Sequence, residues 1–294
     1  MNLAPRVTVF GSLHYDIAVF GPCRPRKGET VTGSAWHPKS GGKGGNQAVS
    51  AARAGARAAM IGAVAEDEFG RFLLDNLERR GVDHRFVTRT AGRSTGMSVA
   101  IFDEEGDYGA VIVSGSNLEL GEKELDAASA LITETAILVL QNEVPDAANV
   151  LAAERAKAAG GLVLLNAAPA RPLSEALKAQ VDVLVVNAVE AEMLSGTDVV
   201  ETLEGALAAA RRLKPGFPRV VVTAGGAGVA AIDEDGQDIA IEPVKVKVES
   251  THGAGDEFIG VLAAALARGE TLEAALDAAN RAAAKLVATP ESER

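Results

Sequence analysis

Disulfide-forming cysteines, long apolar runs and an excess of positive charge are all missing from this sequence of 294 residues. Cys23 is its only cysteine, which excludes an intrachain disulfide and favours a reducing compartment. No run reaches the roughly 20 apolar residues that a membrane-spanning helix needs. The N-terminal stretch lacks the apolar segment of a signal peptide. We therefore expect a cytoplasmic protein with no membrane partner.

The charge balance is acidic, with 29 lysines and arginines against 40 aspartates and glutamates and a net charge of −11. Without a basic stripe the chain cannot neutralise a phosphate backbone, so we expect no nucleic-acid partner. A small anionic substrate is compatible with this balance, because it responds only to local charge. The length suits one large α/β domain or two small ones.

Short apolar runs alternate with alanine-rich helical runs through most of the chain. The runs AILVLQ, GLVLLN, VDVLVVN and RVVVTAG are almost continuously apolar, which is typical of strands buried between two helix layers. The alternation predicts an α/β fold with a doubly wound, mainly parallel sheet flanked by helices. No linker or repeat interrupts it, so we expect residues 1–294 to form a single domain.

Two segments depart from this alternation and favour a small antiparallel sheet. Residues 16–38 and 96–113 alternate apolar and polar positions, with turn residues between them. Within the second segment, FDEEGDY is typical of a hairpin turn. These strands are too few to form a separate stable domain, so we predict that they fold over the main sheet as a lid.

A glycine cluster, GGKGGNQAVSAARAG at residues 41–55, leads into a predicted helix. A helix start binds anions through its free N–H groups, and Lys43 adds a positive charge. The stretch is not a P-loop, because no serine or threonine follows the lysine, and the final glycine of a dinucleotide motif is missing. The alternative is a plain tight turn in which Asn46 and Gln47 cap the helix.

Polar residues follow several predicted strands. Asp16 comes shortly after the first strand, where open α/β sheets bind ligands, and its carboxylate suits a vicinal diol. His14 lies on the same face of the strand as Asp16. It either binds the ligand together with Asp16 or is a surface histidine. Four more polar residues follow later strands and should converge on one crevice: Glu143, Asn166, Asn187 and Thr223. The alternatives are a solvated turn for Asp16 and helix capping for the other four.

Near the end of the sequence, STHGAGDEF places three small residues, Gly253 to Gly255, ahead of Asp256 at the start of an alanine-rich helix. The N–H groups of a helix start stabilise negative charge. Asp256 is suited to deprotonate a hydroxyl while those amides hold a phosphoryl oxygen, as transfer of a γ-phosphate to an alcohol requires. An acidic helix start is the alternative for Asp256, but it does not explain the three small residues.

Three motifs in this order resemble the ribokinase family of sugar and nucleoside kinases, the phosphofructokinase-B type. They are the glycine-rich GGKGGNQA, the later GAGDEF, and NAVEAEML, which matches the family's N-x-x-E element through Asn187 and Glu190. The resemblance covers nearly the whole chain. The stretches STGMSVAIFDEEGDYGAVIVSGSN and LLNAAPARPL are most similar to the ribokinase branch.

The resemblance implies a role for each matching residue. Asp256 would be the general base, and Glu190 would help to place Mg²⁺ through water. The anion hole would consist of Gly253, Ala254 and Gly255. The sugar would be held by Asp16, Gly42, Lys43, Asn46 and Glu143. ATP would lie along Asn187, Thr223, Gly225, Gly228 and Asn280. The lid strands would close over the sugar and pair two subunits of a homodimer.

The chain departs from the family pattern at several positions. His14 stands where ribokinases carry asparagine; we count it among the substrate-binding residues, and its bulkier ring favours another pentose or a nucleoside. Ser250 replaces an aspartate that helps to bind a monovalent cation, and the sequence stops at Arg294, before the family's usual last helix. Both departures argue against potassium activation, and the second leaves one side of the adenine pocket open. Glu257, beside the base, replaces a small hydroxyl residue.

The expected activity is ATP-dependent transfer of the γ-phosphate to the primary hydroxyl of a pentose, foremost the 5-hydroxyl of D-ribose. A nucleoside or modified-nucleoside kinase of the same fold is the first alternative, motivated by His14. A sugar- or nucleotide-binding protein with impaired catalysis is the second, motivated by Ser250 and Glu257.

Overall fold

The computed structural model describes residues 4–105, 107–196 and 200–294. The strands are β1 Arg6–Phe10, β2 His14–Phe20, β3 Ala35–Gly41, β4 Arg57–Ala65, β5 Asp83–Thr90, β6 Met97–Phe102, β7 Tyr108–Val113, β8 Thr135–Gln141, β9 Leu162–Asn166, β10 Val183–Asn187, β11 Arg219–Thr223, β12 Val229–Ile232 and β13 Asp238–Ile241. The α-helices are α1 Lys43–Arg53, α2 Glu68–Arg79, α3 Glu122–Ala127, α4 Ser129–Thr133, α5 Asp146–Ala158, α6 Glu175–Lys178, α7 Ala188–Ser195, α8 Leu203–Leu213, α9 Ala254–Ala267 and α10 Leu272–Val287. Among the described helices none has the length and apolar character to cross a membrane.

A nine-stranded sheet forms the centre of the molecule, in the order β13-β12-β11-β10-β9-β8-β1-β4-β5. The strands from β11 to β5 pair in parallel, whereas β12 pairs antiparallel with both β11 and β13. The mainly parallel α/β sheet predicted from the sequence is confirmed.

Strand β10 shows why this sheet has a helix layer on each face. Leu184 and Val186 are buried in one apolar cluster, and Val183 and Val185 are buried in another. Because successive side chains of a strand point to opposite faces, an all-apolar strand needs cover on both sides. Helices α3 to α8 contribute to the first cluster, and α1, α2, α9 and α10 contribute to the second.

Helices α1 and α9 come from distant parts of the chain and pack closely. A Cβ atom at Gly260 of α9 would overlap the Ser50 side chain and lie 2.7 Å from the main-chain nitrogen of Ala51. Ser50 Oγ also donates a hydrogen bond of 2.9 Å to the carbonyl oxygen of Glu257. A glycine at position 260 therefore sets the distance between the two helices.

The four-stranded sheet has the order β3-β2-β6-β7. Strands β2 and β3 pair antiparallel, as do β6 and β7, but β2 and β6 pair in parallel, which the sequence pattern does not indicate. Tyr15 anchors this sheet to α2, since its ring stacks on Phe69 with centroids 4.0 Å apart and contacts the edge of Phe72 at 5.0 Å. Gly106, in the predicted hairpin turn, lies outside the described residues. Closure of this sheet as a lid stays a prediction.

The substitution Gly260→Ala tests the close packing of α1 and α9. Overpacking at a filled position costs about 1–3 kcal/mol, so we expect the free energy of unfolding in urea to fall by that amount. Gly216→Ala is the matched control, because a Cβ atom there meets nothing within 4 Å. It should change stability by less than about 0.5 kcal/mol. Equal stability of the two variants would contradict the packing described here.

Candidate active site

The carboxyl ends of the parallel strands bring several predicted residues to one edge of the large sheet. Gln141 of β8 lies opposite Asn166 of β9, and Asn187 of β10 lies opposite Thr223 of β11. The ends of β9, β10 and β11 border a cavity of about 210 Å³. Its lining includes Lys43, Asn166, Asn187, Glu190, Thr223, Gly253, Gly255 and Asp256.

Asp256, in the first turn of α9, is held by two side-chain amides of α1. Asn46 Nδ2 donates to Asp256 Oδ2 at 2.9 Å, and Gln47 Nε2 donates to Asp256 Oδ1 at 3.0 Å. Because each carboxylate oxygen has its own donor, the plane and direction of the carboxylate are fixed. An aspartate used only as an acidic helix start would not need these donors.

Opposing effects act on the pKa of Asp256. Burial and the charge of Glu143 raise the pKa above its ordinary value, whereas the charge of Lys43 and the two amide hydrogen bonds lower it. Burial is the largest effect, so the pKa is raised on balance. A raised pKa makes the carboxylate a better proton acceptor near neutral pH.

Gln47 is a site residue that sequence reasoning missed. Helix α1 has Gly42 as its N-cap and no side-chain cap, so the interpretation of Asn46 and Gln47 as caps is wrong. Gln47 is fully buried, and its Nε2 also donates to Asn166 Oδ1 at 3.0 Å. A signal was present, because Lys43, Gln47 and Ser50 follow the i, i+4, i+7 spacing of one helix face.

Glu143 is bound from two sides at the end of β8. Its Oε2 accepts a hydrogen bond of 2.9 Å from the main-chain N–H of Lys43, and Ser12 Oγ also donates to it. His14 Nδ1 lies 3.9 Å from the same oxygen. Ser12 is a second residue that the sequence analysis did not find. Glu143 therefore binds the start of α1 and does not act as a helix cap, the alternative considered from the sequence.

Glycine is required at position 42, between β3 and α1. Gly42 has φ 83°, in the left-handed region, and a Cβ atom there would lie 2.7 Å from the main-chain nitrogen of His14. The helix start can approach β2 this closely only without a side chain. This approach places Lys43 beside Glu143.

Asp16 faces the same region from β2. Ser98 Oγ of the neighbouring strand β6 donates to Asp16 Oδ1 at 2.5 Å. Burial raises the pKa of Asp16, while the Ser98 hydrogen bond and the nearby His14 lower it. His14 is 4% exposed, and its Nε2 has no hydrogen-bond partner among the residues that the structure describes. It is a buried histidine, not a surface one.

Asn187 and Glu190 form a reciprocal cap at the start of α7. The Glu190 N–H donates to Asn187 Oδ1 at 2.8 Å, and the Asn187 N–H donates to Glu190 Oε2 at 2.9 Å. The capping interpretation of Asn187 is thus confirmed, although the residue also borders the cavity. Burial raises the pKa of Glu190, and the charge of Lys43 opposes the shift.

The remaining predicted nucleotide residues lie in the turn between β11 and β12 and on α10. Gly225 and Gly228 have φ 52° and 105° in the turn between β11 and β12, where a Cβ atom at Gly228 would overlap a carbonyl oxygen. Asn280 of α10 donates through Nδ2 to the carbonyl oxygen of Glu242 at 2.9 Å. None of these three borders the 210 Å³ cavity.

The small residues before Asp256 form the start of α9. Gly253 is the N-cap, with φ 78°, and the N–H of Ala254 donates to the carbonyl oxygen of Thr251 at 3.3 Å. A Cβ atom at Gly255 would meet nothing within 4 Å, and Gly255 borders the cavity. The first N–H groups of a helix have no acceptor within the helix. This turn therefore presents positive dipole ends to the cavity.

Glu257 has a charged partner of its own, unlike Asp256. Its carboxylate forms an ion pair with Arg53 of α1. Adjacent helical residues point in different directions, so the two carboxylates have separate partners. Glu257 thus adds a second link between α1 and α9 rather than a second base.

The arrangement defines an α/β protein with a fixed carboxylate, a helix N-terminus and a lysine around one cavity. A model of the pfkB family of carbohydrate kinases matches residues 4–293. The chain belongs to this family, and it is a phosphotransferase with a sugar hydroxyl as acceptor.

Individual relatives are similar over most of their length. Ribokinase of Haemophilus influenzae is 33% identical over 278 residues, which cover 95% of this chain and 90% of that one. Deoxyribokinase of Salmonella typhimurium is 32% identical, with coverage of 92% and 88%. The structure of Arabidopsis thaliana ribokinase complexed with ribose and ATP has a TM-score of 0.90 at 30% identity, with coverage of 97% and 93%.

Replacement of Gln47 by leucine tests how the Asp256 carboxylate is held. Loss of its N–H donor removes an effect that lowers the pKa of Asp256, so that pKa should rise. A base works in its deprotonated form, and activity is lost as pH falls through its pKa. The acidic limb of the pH–rate profile of sugar-dependent ADP formation should therefore move to higher pH.

Gln180→Leu provides the matched control, because Gln180 precedes β10 at the opposite edge of the sheet. Its pH profile should equal that of the wild type. An unshifted acidic limb in a folded Gln47→Leu variant, checked by circular dichroism, would show that Gln47 does not lower the pKa of a group that limits activity.

Proposed function

We propose that this protein transfers the γ-phosphate of ATP to the primary hydroxyl of a pentose, foremost the 5-hydroxyl of D-ribose. The observation that carries the proposal is the carboxylate of Asp256, fixed by Asn46 and Gln47 beside a cavity at the start of α9. A base aimed in this way has one evident task, which is to take the proton of an acceptor hydroxyl.

The other residues fit the remaining tasks of phosphoryl transfer. Asp16 and Glu143 offer carboxylate oxygens to sugar hydroxyls, and the N–H groups at the start of α9 face negative charge on the phosphoryl oxygens. Lys43 lies between the two groups, with its main-chain N–H on Glu143 and its charge near Asp256. Positioning and charge stabilisation account for most of the catalysis in such reactions.

Mg²⁺ fits the residues that are present. Within the described ranges no group of three or more histidine, cysteine or acidic side chains could hold a metal ion by itself. Mg²⁺ in kinases binds through substrate phosphates, water and one or two carboxylates, which suits this arrangement. Glu190 would contribute through water, since its Oε2 already accepts from Asn187. The ion would neutralise phosphate charge.

Ribose is the first choice of acceptor because several similar proteins are ribokinases. Three ribokinases are 33–34% identical, and one solved ribokinase of similar fold holds ribose and ATP. The match to a deoxyribokinase shows that related chains also accept a pentose lacking a hydroxyl. We propose that Asp16, with its Ser98 partner, responds to that difference.

A nucleoside is the second candidate, on the basis of cavity size. A second cavity of about 560 Å³ also borders Asp256 and Asn46 and extends to Phe20 and His37 of the small sheet. Cavities of about 300–1,000 Å³ suit drug-sized ligands, so the space exceeds what a single pentose fills. The two rings, with centroids 5.7 Å apart, offer aromatic faces on which a nucleobase would stack.

The variant Asp256→Asn tests the proposed chemistry. Asparagine keeps the shape but cannot accept the proton, so ribose-dependent ADP formation with ATP and Mg²⁺ should fall by about 10²–10⁴-fold. Binding of ribose, followed by calorimetry, should change much less.

Asp277→Asn is the control, since Asp277 pairs with Arg281 on the surface of α10, and it should keep full activity. Asp256→Asn with more than about a hundredth of wild-type activity would rule out the general base. Wild-type turnover of nucleosides but not of pentoses would favour the second candidate.

We also propose that the small sheet joins two copies of the chain. Strands β3 and β7 are its edges, and both carry exposed apolar side chains. Trp36 on β3 is 61% exposed, and Val111 on β7 is 68% exposed. Exposed apolar strand edges in a soluble enzyme favour association with a partner of the same kind.

Val111→Lys should convert this dimer to a monomer in light scattering coupled to gel filtration. A charge on the edge strand would have to be buried without a partner, which is costly. Val244→Lys, at an exposed valine between β13 and α9, should leave the mass unchanged. A monomeric wild type at micromolar concentration would refute the proposal.

A further inference from the structure

Arg294 binds three main-chain carbonyl oxygens with one guanidinium group. Nη2 donates to the carbonyl oxygen of Ser250 at 2.8 Å, and Nη1 donates to that of His252 at 2.7 Å. Nε donates to the carbonyl oxygen of Thr289 at 2.9 Å. The first two oxygens belong to the turn that leads into α9, and the third follows α10. One cation therefore joins the two segments.

The same turn is held by a second set of contacts. Ser250 Oγ donates to Glu291 Oε1 at 2.6 Å, and Lys39 Nζ of β3 lies 3.1 Å from Glu291 Oε2. The Glu249 N–H donates to the carbonyl oxygen of Val287 at 2.8 Å. The turn is thus connected to α10 and to the small sheet at once.

Main-chain carbonyl oxygens that converge on one place are stabilised by a positive charge there. Carbonyl oxygens that point at one place are the ligands that replace the hydration shell of a monovalent ion such as K⁺. In this protein the guanidinium group of Arg294 supplies the positive charge. It stays charged at every relevant pH and has donors in a fixed planar arrangement. A planar group with three directed bonds also orients the carbonyls more strictly than a mobile ion would.

We propose that Arg294 is a built-in cation that positions the turn at residues 250–252, so that phosphoryl transfer needs no added monovalent cation. The turn runs directly into Gly253, the N-cap of α9, and so into the N–H groups near Asp256. Arg294 borders the 560 Å³ cavity, but its hydrogen bonds go to main-chain carbonyl oxygens and not to Asp256, so we assign it a positioning role. The inference rests on the proposed kinase function.

The experiment compares the wild type with Arg294→Ala in buffers whose only monovalent cation is choline. The wild type should form ADP with ribose at the same rate in choline, Na⁺ and K⁺. Arg294→Ala should lose about 100-fold in kcat, as a misplaced reaction centre does when it shifts by about 1 Å. Millimolar guanidinium chloride or K⁺ should restore a large part of the loss.

Arg268→Ala is the matched control, because Arg268 also donates to a main-chain carbonyl, that of Ala54, but far along α9 from Asp256. It should be fully active in choline and insensitive to guanidinium. Dependence of the wild type on K⁺ would overturn the inference, and so would an Arg294→Ala variant that guanidinium and K⁺ both fail to restore.

Hydrogen exchange gives a readout that needs no turnover. Amides of residues 249–256 should exchange faster in Arg294→Ala and slow again with guanidinium, whereas those of β8 should not change. Unchanged exchange at residues 249–256 would refute the positioning role. If the wild type turned over no pentose or nucleoside while this exchange pattern appeared, the proposed function would fail and the role of Arg294 in the turn would stand.

Discussion

The contact between α1 and α9 is the constraint on which the candidate site depends. Gly260 lets the two helices approach until the amides of Asn46 and Gln47 reach the carboxylate of Asp256 at 2.9 and 3.0 Å. Hydrogen bonds weaken steeply beyond this range, so a shift of about one ångström between the helices would release the Asp256 carboxylate. Helix packing, usually a matter of stability, here sets the geometry of the group that we propose as the base.

Charge is the second constraint on the site. The carboxylates of Asp16, Glu143, Glu190 and Asp256 lie near one another in a chain that is acidic overall, and burial raises the pKa of three of them. Lys43 lowers the pKa of both Glu190 and Asp256. Its charge keeps those acids closer to ionisation in a setting that would otherwise favour their neutral forms. The site therefore suits an incoming ligand that carries a cation with its phosphates.

Sequence reasoning found the elements and the motifs but not their long-range contacts. Apolar runs predicted the buried parallel strands, because nearly every residue of a strand covered on both faces is apolar. The parallel pairing of β2 with β6 was not predictable, since pairing joins segments about 80 residues apart and leaves no local pattern. Ser12 and Arg294 were missed for the same reason, because their partners are set by the tertiary fold. Gln47 had a local signal in its helix spacing, but its partners Asp256 and Asn166 are likewise set by the tertiary fold.

Two departures from the family motif, at Ser250 and Glu257, have structural partners of their own. Glu257 pairs with Arg53 on α1, and Ser250 bonds to Glu291 beside Arg294. Each replacement thus anchors one end of the segment that begins α9. A chain that had lost catalysis would have no need to keep such anchors around a carboxylate aimed at a cavity. The substitutions are better explained as a different way to hold the same helix start than as decay of an enzyme.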